Sequence, residues 1–260
     1  MVTWNEFGWF SAVSGVFWIA GSVMAWRSRD GKISLPALSM TTLGILVYAM
    51  FIAGFWHTLG RPPLRTLGET RLWYSFFMIV SGLITYVRWR YKWILSFSTV
   101  TALVFMMLNL LKPEIHSQSL MPALQSFWFV PHVTVYMFSY SLLACAFLLA
   151  VAGLYGRTGR YLPTIDTLVY VGAAFLALGM MSGALWAKEA WGHYWNWDAK
   201  ETWAAVTWGM YLLYIHVRLS RYRKSMWGYV LLILAFLCLQ ICWYGVNYLP
   251  SAQGSMHVYG

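Results

Sequence analysis

The residues best suited to chemistry lie in the segment 186–208, WAKEAWGHYWNWDAKETWAAVTW, which crowds tryptophans around an acidic, amide-rich turn. An indole ring with one N–H donor suits either a membrane–water interface or the face of a large planar ligand. Between the indoles, the turn adds backbone freedom, an imidazole and hydrogen-bonding groups that a membrane anchor does not require. These residues are Gly192, His193, Tyr194, Asn196 and Asp198. The pattern favours a binding segment for a planar ligand, and a plain aromatic belt is the alternative.

Two histidines have the sequence context of axial ligands for such a site. His132 follows a proline in SFWFVPHVTVY, and His257 lies in the C-terminal segment QGSMHVYG. Both are expected on the same side of the membrane as the tryptophan-rich segment. Two imidazoles beside an aromatic platform have the composition of a bis-imidazole haem site, with indoles as its walls. His116 and His193 are expected on the same side and are rival ligands.

Two further histidines, His57 and His216, belong to apolar segments, where an ionisable side chain is a functional hypothesis by default. His57 is expected close to the outer end of its helix and His216 close to the inner end of its own. At 1.5 Å per residue their depths differ by on the order of 20 Å, too far to share one metal. A haem bound at His216 would therefore find no second histidine at that depth in this chain. The alternative for His216 is a core histidine bonded to a helix carbonyl.

The elements that position these residues are membrane-spanning helices. Sixty per cent of the 260 residues are hydrophobic and ten per cent are charged, so one soluble core could not bury this much apolar surface. The first apolar run has Glu6 before it and its basic residues after it, unlike a signal peptide, so we expect a retained helix. The sequence predicts an all-α, polytopic membrane helical bundle that forms a single domain over residues 1–260. Its eight apolar runs cover about 7–26, 38–59, 71–88, 93–111, 132–154, 165–187, 201–217 and 227–247.

Charge placement predicts the orientation of these helices. Twelve of the eighteen basic residues fall in alternate connections: Arg27, Arg29, Lys32, Arg88, Arg90, Lys92, Arg157, Arg160, Arg218, Arg221, Arg223 and Lys224. Six of the eight acids fall in the others: Glu6, Glu69, Glu114, Glu189, Asp198 and Glu201. The positive-inside rule then places both termini and the tryptophan-rich segment on the outer face. The net charge of +10 therefore reflects topology, and we expect no nucleic-acid partner.

Two patterns have structural explanations. Asp198 and Glu201 match a capping box at the start of the seventh helix, which would stiffen the turn before it. The three cysteines, Cys145, Cys238 and Cys242, lie at hydrocarbon depth and are expected to be small packing residues. Because the chain has no CxxC motif, thiol–disulfide exchange by the chain itself is not expected.

The string WGHYWNWDAKETWA resembles the WWD signature of haem-handling proteins. Its ending, Asp-x-Lys-Glu-Thr-Trp, is most similar to the CcsA (ResC-type) cytochrome c assembly proteins of bacteria and chloroplasts. CcmC-type proteins usually read Asp-x-Arg-Leu-Thr there, and CcmF-type proteins Asp-Pro-x-Glu-Asn. The resemblance extends over 132–260 and includes YLLYIHVR around His216. Upstream, GRPPLRTLGET is similar to a family loop of the form Gly-x-x-Pro-Leu-x-x-x-x-Glu.

The resemblance implies that His132 and His257 are the outer axial ligands of haem b and that His216 is an intramembrane ligand on the entry route. It also implies that the WWD segment cradles the haem between the outer ligands. The cradle residues are Trp191, Gly192, Tyr194, Trp195, Asn196, Trp197 and Asp198. Two positions depart from the family pattern, because Ala199 stands where proline is usual and His193 stands where a small residue is usual. Outer cations available for the haem propionates are Arg61, Arg65, Arg71, Lys188 and Lys200.

The function implied by the resemblance is haem handling within a cytochrome c synthase, or haem lyase. Haem would be presented on the outer face of a bacterial inner membrane or a thylakoid membrane, for thioether attachment to the CxxCH motif of apocytochrome c. A ResB-like (CcsB) membrane subunit is the expected partner. The alternatives are CcmC-like delivery of haem to a carrier, a b-haem electron-transfer subunit, and a transporter or scaffold without haem.

Overall fold

A computed structural model describes residues 1–29, 31–116, 122–220 and 226–250. Throughout these ranges, the regular secondary structure is helical. The eight apolar runs predicted from sequence correspond to eight α-helices. The chain divides into two compact units, Met1–Leu124 and Gln125–Gly260.

The first unit holds four helices: α1 (Phe7–Arg27), α2 (Leu35–Leu59), α3 (Leu67–Trp89) and α4 (Lys92–Leu111). Each helix packs against the next in the chain, and α4 returns to pack against α1. Aromatic side chains such as Trp18, Tyr48 and Phe51 fill the core of this unit. Helix α3 begins with a capping box in which Thr66 and Glu69 exchange hydrogen bonds.

The second unit also holds four helices: α5 (Phe129–Tyr155), α6 (Leu162–Trp191), α7 (Ala199–Leu219) and α8 (Trp227–Trp243). Each again packs against its neighbour in the chain, and α8 returns to α5. Helix α5 is the most enclosed, with an unbroken buried run over residues 139–146. The thiols of Cys145 and Cys242 are buried, and that of Cys238 is partly exposed.

Five helices of the described chain are long and apolar enough to cross a membrane by themselves: α1, α2, α4, α5 and α6. Helix α8 is equally apolar but has 17 residues, since the chain tightens into a 3₁₀ turn at Gly245–Tyr248 instead of continuing to 247. Helices α3 and α7 carry charged residues in their end turns, which lowers their hydropathy. The protein is an integral membrane helical bundle.

Candidate functional site: the tryptophan-rich end of the second unit

The tryptophan-rich segment consists of a helix end, a turn and a helix start. Trp186 and Trp191 belong to α6, which is longer than the sequence predicted, and Trp195 and Trp197 lie in the turn 192–198. Gly192 ends α6 with a φ of 86°, a left-handed conformation that side chains other than glycine rarely adopt. The indoles are therefore presented from two different backbone elements that meet at this turn.

Glu201 fixes the second half of the turn. Its buried carboxylate accepts hydrogen bonds from the backbone N–H groups of Asn196, at 2.7 Å, and Asp198, at 3.3 Å. Asp198 accepts in return from the Glu201 N–H at 2.9 Å. The capping box predicted from sequence is thus confirmed, with an additional bond that reaches back to Asn196. Three hydrogen bonds hold the turn against the first turn of α7.

Trp197 lies between the two amides that bind Glu201 and has a φ of 55°. A left-handed conformation is uncommon for a bulky residue and costs about 1–3 kcal/mol. The surrounding contacts maintain it, because the Trp197 carbonyl also accepts from the Thr202 hydroxyl at 3.1 Å. Trp197 is 69% exposed, and its indole meets the Trp195 ring edge-to-face at 5.6 Å. The turn therefore combines a left-handed backbone conformation at Trp197 with an exposed indole.

His132 lies in the first turn of α5, and its ring is oriented by α6. Its Nδ1 atom is 2.8 Å from the carbonyl oxygen of Gly179. A carbonyl can only accept, so Nδ1 carries the hydrogen and the neutral ring has its lone pair on Nε2. The ring packs edge-to-face with Tyr136 at 4.6 Å and stacks on Trp186 at 5.4 Å. A donor at Nδ1 and a lone pair at Nε2 are what an imidazole ligand of iron requires.

Trp186 connects His132 with the tryptophan-rich segment. The centroid of this buried indole is 5.4 Å from that of the His132 ring and 4.9 Å from that of the Trp191 ring. The ends of the two helices are joined further by the Ser126 hydroxyl, which donates to Glu189 at 2.6 Å. The structure thus brings His132 and Trp191 into one aromatic cluster. Sequence reasoning counted Trp186 but did not assign it to the site; its position five residues before Trp191 was the available signal.

His216 lies on the exposed side of α7. Its Nδ1 atom donates to the Leu212 carbonyl of its own helix at 2.7 Å, so its lone pair is also on Nε2. Two residues to either side, and therefore on the opposite face of the helix, Tyr214 and Arg218 point toward α6, where both bind Asp166 at 2.7–2.8 Å. The helix-carbonyl bond considered from sequence is present, but His216 is exposed and not a core residue. The other candidate ligand, His257, lies outside the described residues.

The rival histidines have different surroundings. His193 lies within the turn of the second unit, and its Nδ1 atom is buried without a hydrogen-bond partner among the described residues. His116 belongs to the first unit and stacks on Trp4 with ring centroids 3.8 Å apart. Burial lowers the pKa of His116. His57, in the last turn of α2, is exposed. Of these three, only His193 lies within the tryptophan-rich segment.

Of the outer cations expected from sequence, the side chains of Lys188 and Arg61 have hydrogen-bond partners close to them in the chain. The Lys188 ammonium donates to the Gly192 carbonyl at 2.7 Å and lies over the Tyr194 ring at 5.4 Å. In the first unit, Arg61 forms a bidentate ion pair with the buried Glu69 at 2.8–2.9 Å. The Arg65 backbone N–H binds the same carboxylate. The Lys200 carbonyl accepts from the Cys242 thiol at 3.6 Å.

Arg71 differs from the other cations. Two of its guanidinium nitrogens, Nε and Nη1, are buried without a hydrogen-bond partner in the described parts of the chain.

Comparisons with known proteins place this arrangement in a family. The model of the family described as cytochrome c assembly protein matches residues 12–252. The chain is 32% identical over 248 residues to the cytochrome c biogenesis protein CcsA of Chlamydomonas reinhardtii, covering 88% of this chain and 69% of that protein. It is 31% identical over 248 residues to the protein of the same name from Nymphaea alba, covering 79% of each. The chain therefore belongs to the cytochrome c assembly protein family and is related throughout most of its length to CcsA proteins.

Proposed function

We propose that this protein receives haem b and presents it on the outer membrane face for covalent attachment to apocytochrome c. Family membership supports the broader role in cytochrome c maturation. The single observation that carries the proposal is the geometry of His132. Its ring is fixed by a neighbouring helix in the tautomer that offers Nε2 to iron, beside a cluster of indoles.

The residues of the turn fit a flat, mostly apolar ligand. Trp191, Trp195 and Trp197 supply indole surface, and the bonds from Glu201 keep the turn rigid. In our proposal these rings, with Gly192, Tyr194, Asn196 and Asp198, form the cradle for the haem face. His132 and His257 are its two axial ligands in this proposal.

Attachment of haem to a cytochrome c adds two cysteine thiols of the substrate to the two haem vinyl groups. The nucleophiles therefore come from the apocytochrome, and this chain needs to supply none. What its residues contribute is orientation of the haem edge, exclusion of wrong geometries and an axial imidazole that the substrate histidine displaces. In this account the protein is one component of a haem lyase.

The exposed position of His216 supports a haem site that this chain shares with a second subunit. Because Tyr214 and Arg218 are directed toward α6, His216 projects from the other side of α7. We propose that a haem on its way outward binds His216 and a histidine from a transmembrane helix of a ResB-like (CcsB) subunit. The two polypeptides would then form the inner site together.

The membrane orientation that follows from charge placement completes the proposal. Basic connections face the cytoplasm or stroma, and both termini and the turn 192–198 face the periplasm or thylakoid lumen. In this orientation His216 lies toward the inner end of α7 and His132 at the outer end of α5.

Co-expression tests the proposal. The chain is produced with a ResB-like subunit and an apocytochrome c containing CxxCH, and covalent haem is measured by haem stain and by the pyridine haemochrome spectrum. Covalent cytochrome together with a bis-imidazole haem spectrum in the purified complex is the expected result. Haem transfer to a soluble carrier without thioether formation would favour CcmC-like delivery. A protein with no haem under any of these conditions would contradict haem handling altogether.

A further inference from the structure

Two glycines on α6, Gly179 and Gly183, make room for the side chains that α5 directs toward them. A Cβ atom at Gly183 would lie 2.6 Å from Nδ1 and 2.7 Å from Cε1 of His132. A Cβ atom at Gly179 would lie 2.4 Å from Cδ1 of Tyr136. Neither glycine has a positive φ, so backbone conformation does not require glycine at these positions. Space for the two rings does.

The close approach also creates the bond that orients His132. Without a Cβ at position 183, the imidazole lies against the α6 backbone, and its Nδ1–H reaches the Gly179 carbonyl. Tyr136 packs against the same imidazole edge-to-face, and Trp186 stacks on it one turn further along α6. The ring is thereby restricted in rotation and in tautomer by groups on two helices.

We infer that Gly183 and the carbonyl of Gly179 are positioning residues for the haem-ligating imidazole of His132. This inference rests on the proposed function, since it concerns the outer haem site. When the ring nitrogen that does not bind the metal donates a hydrogen bond, that bond orients the imidazole and raises its basicity. Losing such a partner typically lowers metal affinity about 10–100-fold. A methyl group at position 183 displaces the imidazole and breaks this bond without removing any ligand atom.

The test compares Gly183→Ala with two glycine controls in the haem-loaded membrane protein. Gly172→Ala places a Cβ 2.7 Å from the Leu143 side chain, a similar overlap between the same two helices but away from His132. Gly209→Ala, on α7, meets no atom within 4 Å. Haem retention is measured by dilution and competition, and axial ligation by the absorbance spectrum with and without imidazole. We expect about tenfold or greater loss of retention in Gly183→Ala alone, partly restored by imidazole.

A double variant and a haem-free measurement separate the possible failures. Adding Gly183→Ala to His132→Ala should cause no further loss, because both act through one ring. In haem-free protein, ¹⁵N NMR of labelled histidine should show the Nδ1–H tautomer of His132 in the parent chain and its loss in Gly183→Ala. Equal haem loss in Gly172→Ala and Gly183→Ala would overturn the positioning role of Gly183 and leave the outer-site proposal intact. The same conclusion would follow if Gly183→Ala kept the parent spectrum while His132→Ala lost it. Normal haem binding by His132→Ala would instead overturn the outer-site proposal.

Discussion

His132 and His216 are both on helices of the second unit, and both donate from Nδ1 to a backbone carbonyl. The two carbonyls differ in whether they belong to a neighbouring helix or to the histidine's own helix. His132 donates across to α6, whereas His216 donates to Leu212 of its own helix. The first imidazole is enclosed by Tyr136 and Trp186, and the second is exposed. A ring held between helices is already oriented for a ligand. A ring held only by its own helix has the correct tautomer and still requires another surface.

Removing the exposed histidine in the presence of the ResB-like subunit is expected to reduce the delivery of haem to the outer site. His216→Ala should lower the haem that reaches the outer site about tenfold, because the inner iron loses an axial ligand. Haem added from outside should still bind with the parent spectrum. The measurement is haem content and spectrum after co-expression with the ResB-like subunit, and Leu213→Ala on the same exposed side of α7 is the control. Equal outer haem in His216→Ala and the parent would remove His216 from the route.

Glu201→Ala tests whether the outer site depends on the stiffness of the turn. Removing the carboxylate leaves the Asn196 and Asp198 N–H groups without their acceptor, at a cost of about 1–3 kcal/mol. Thermal stability should fall and haem retention should fall with it.

The first unit provides the matched control for this variant. Glu69→Ala removes a buried capping-box carboxylate of the same kind, and with it the ion pair to Arg61. It should destabilise the protein at least as much while leaving haem retention in the folded fraction near the parent level. Parallel haem loss in the two variants would show that stability alone explains the effect.

Trp197→Gly separates backbone strain from indole contact. Glycine adopts a φ of 55° without penalty, so the variant should gain up to about 1 kcal/mol of stability while haem retention falls several-fold. Chemical denaturation and haem competition measure the two quantities. Arg157→Gly, which replaces another left-handed residue with a φ of 47°, should gain stability without the haem defect. If Trp197→Gly retains haem fully, its indole is only part of an aromatic belt.

The smallest effect concerns His116, a histidine of the first unit packed on Trp4. Burial lowers its pKa below the ordinary 6.5, so the unfolded chain takes up a proton before the folded chain does. Its contribution to stability is therefore complete above about pH 6.5 and declines as pH falls through the lowered folded-state pKa. Melting temperatures between pH 8 and 5 should show a smaller decline in His116→Phe than in the parent. An identical pH profile would contradict this.

The sequence predicted the helices well because hydropathy determines them. It also predicted the capping box at Asp198 and Glu201, because Asp-x-x-Glu is a local pattern. His132 was predicted as a ligand from its position before an apolar run and from family resemblance, and its ligand role stays a prediction. The bond from His132 to Gly179 was not predictable, since it joins residues 47 positions apart through a carbonyl that carries no sequence signal. The close approach of His132 to Gly183 was not predictable either, because it depends on how α5 packs against α6. The left-handed conformation of Trp197 was likewise hidden, because tryptophan has no local preference for it.

The most direct test of the central claim, that His132 is an outer axial ligand of haem, is the absorbance spectrum of the purified protein with and without this imidazole. The parent should show a low-spin, bis-imidazole haem. His132→Ala should lose that spectrum and about 100-fold in haem retention, and added imidazole should restore the spectrum by filling the open position. A His132→Ala protein that keeps the parent spectrum and the parent haem retention would contradict the claim.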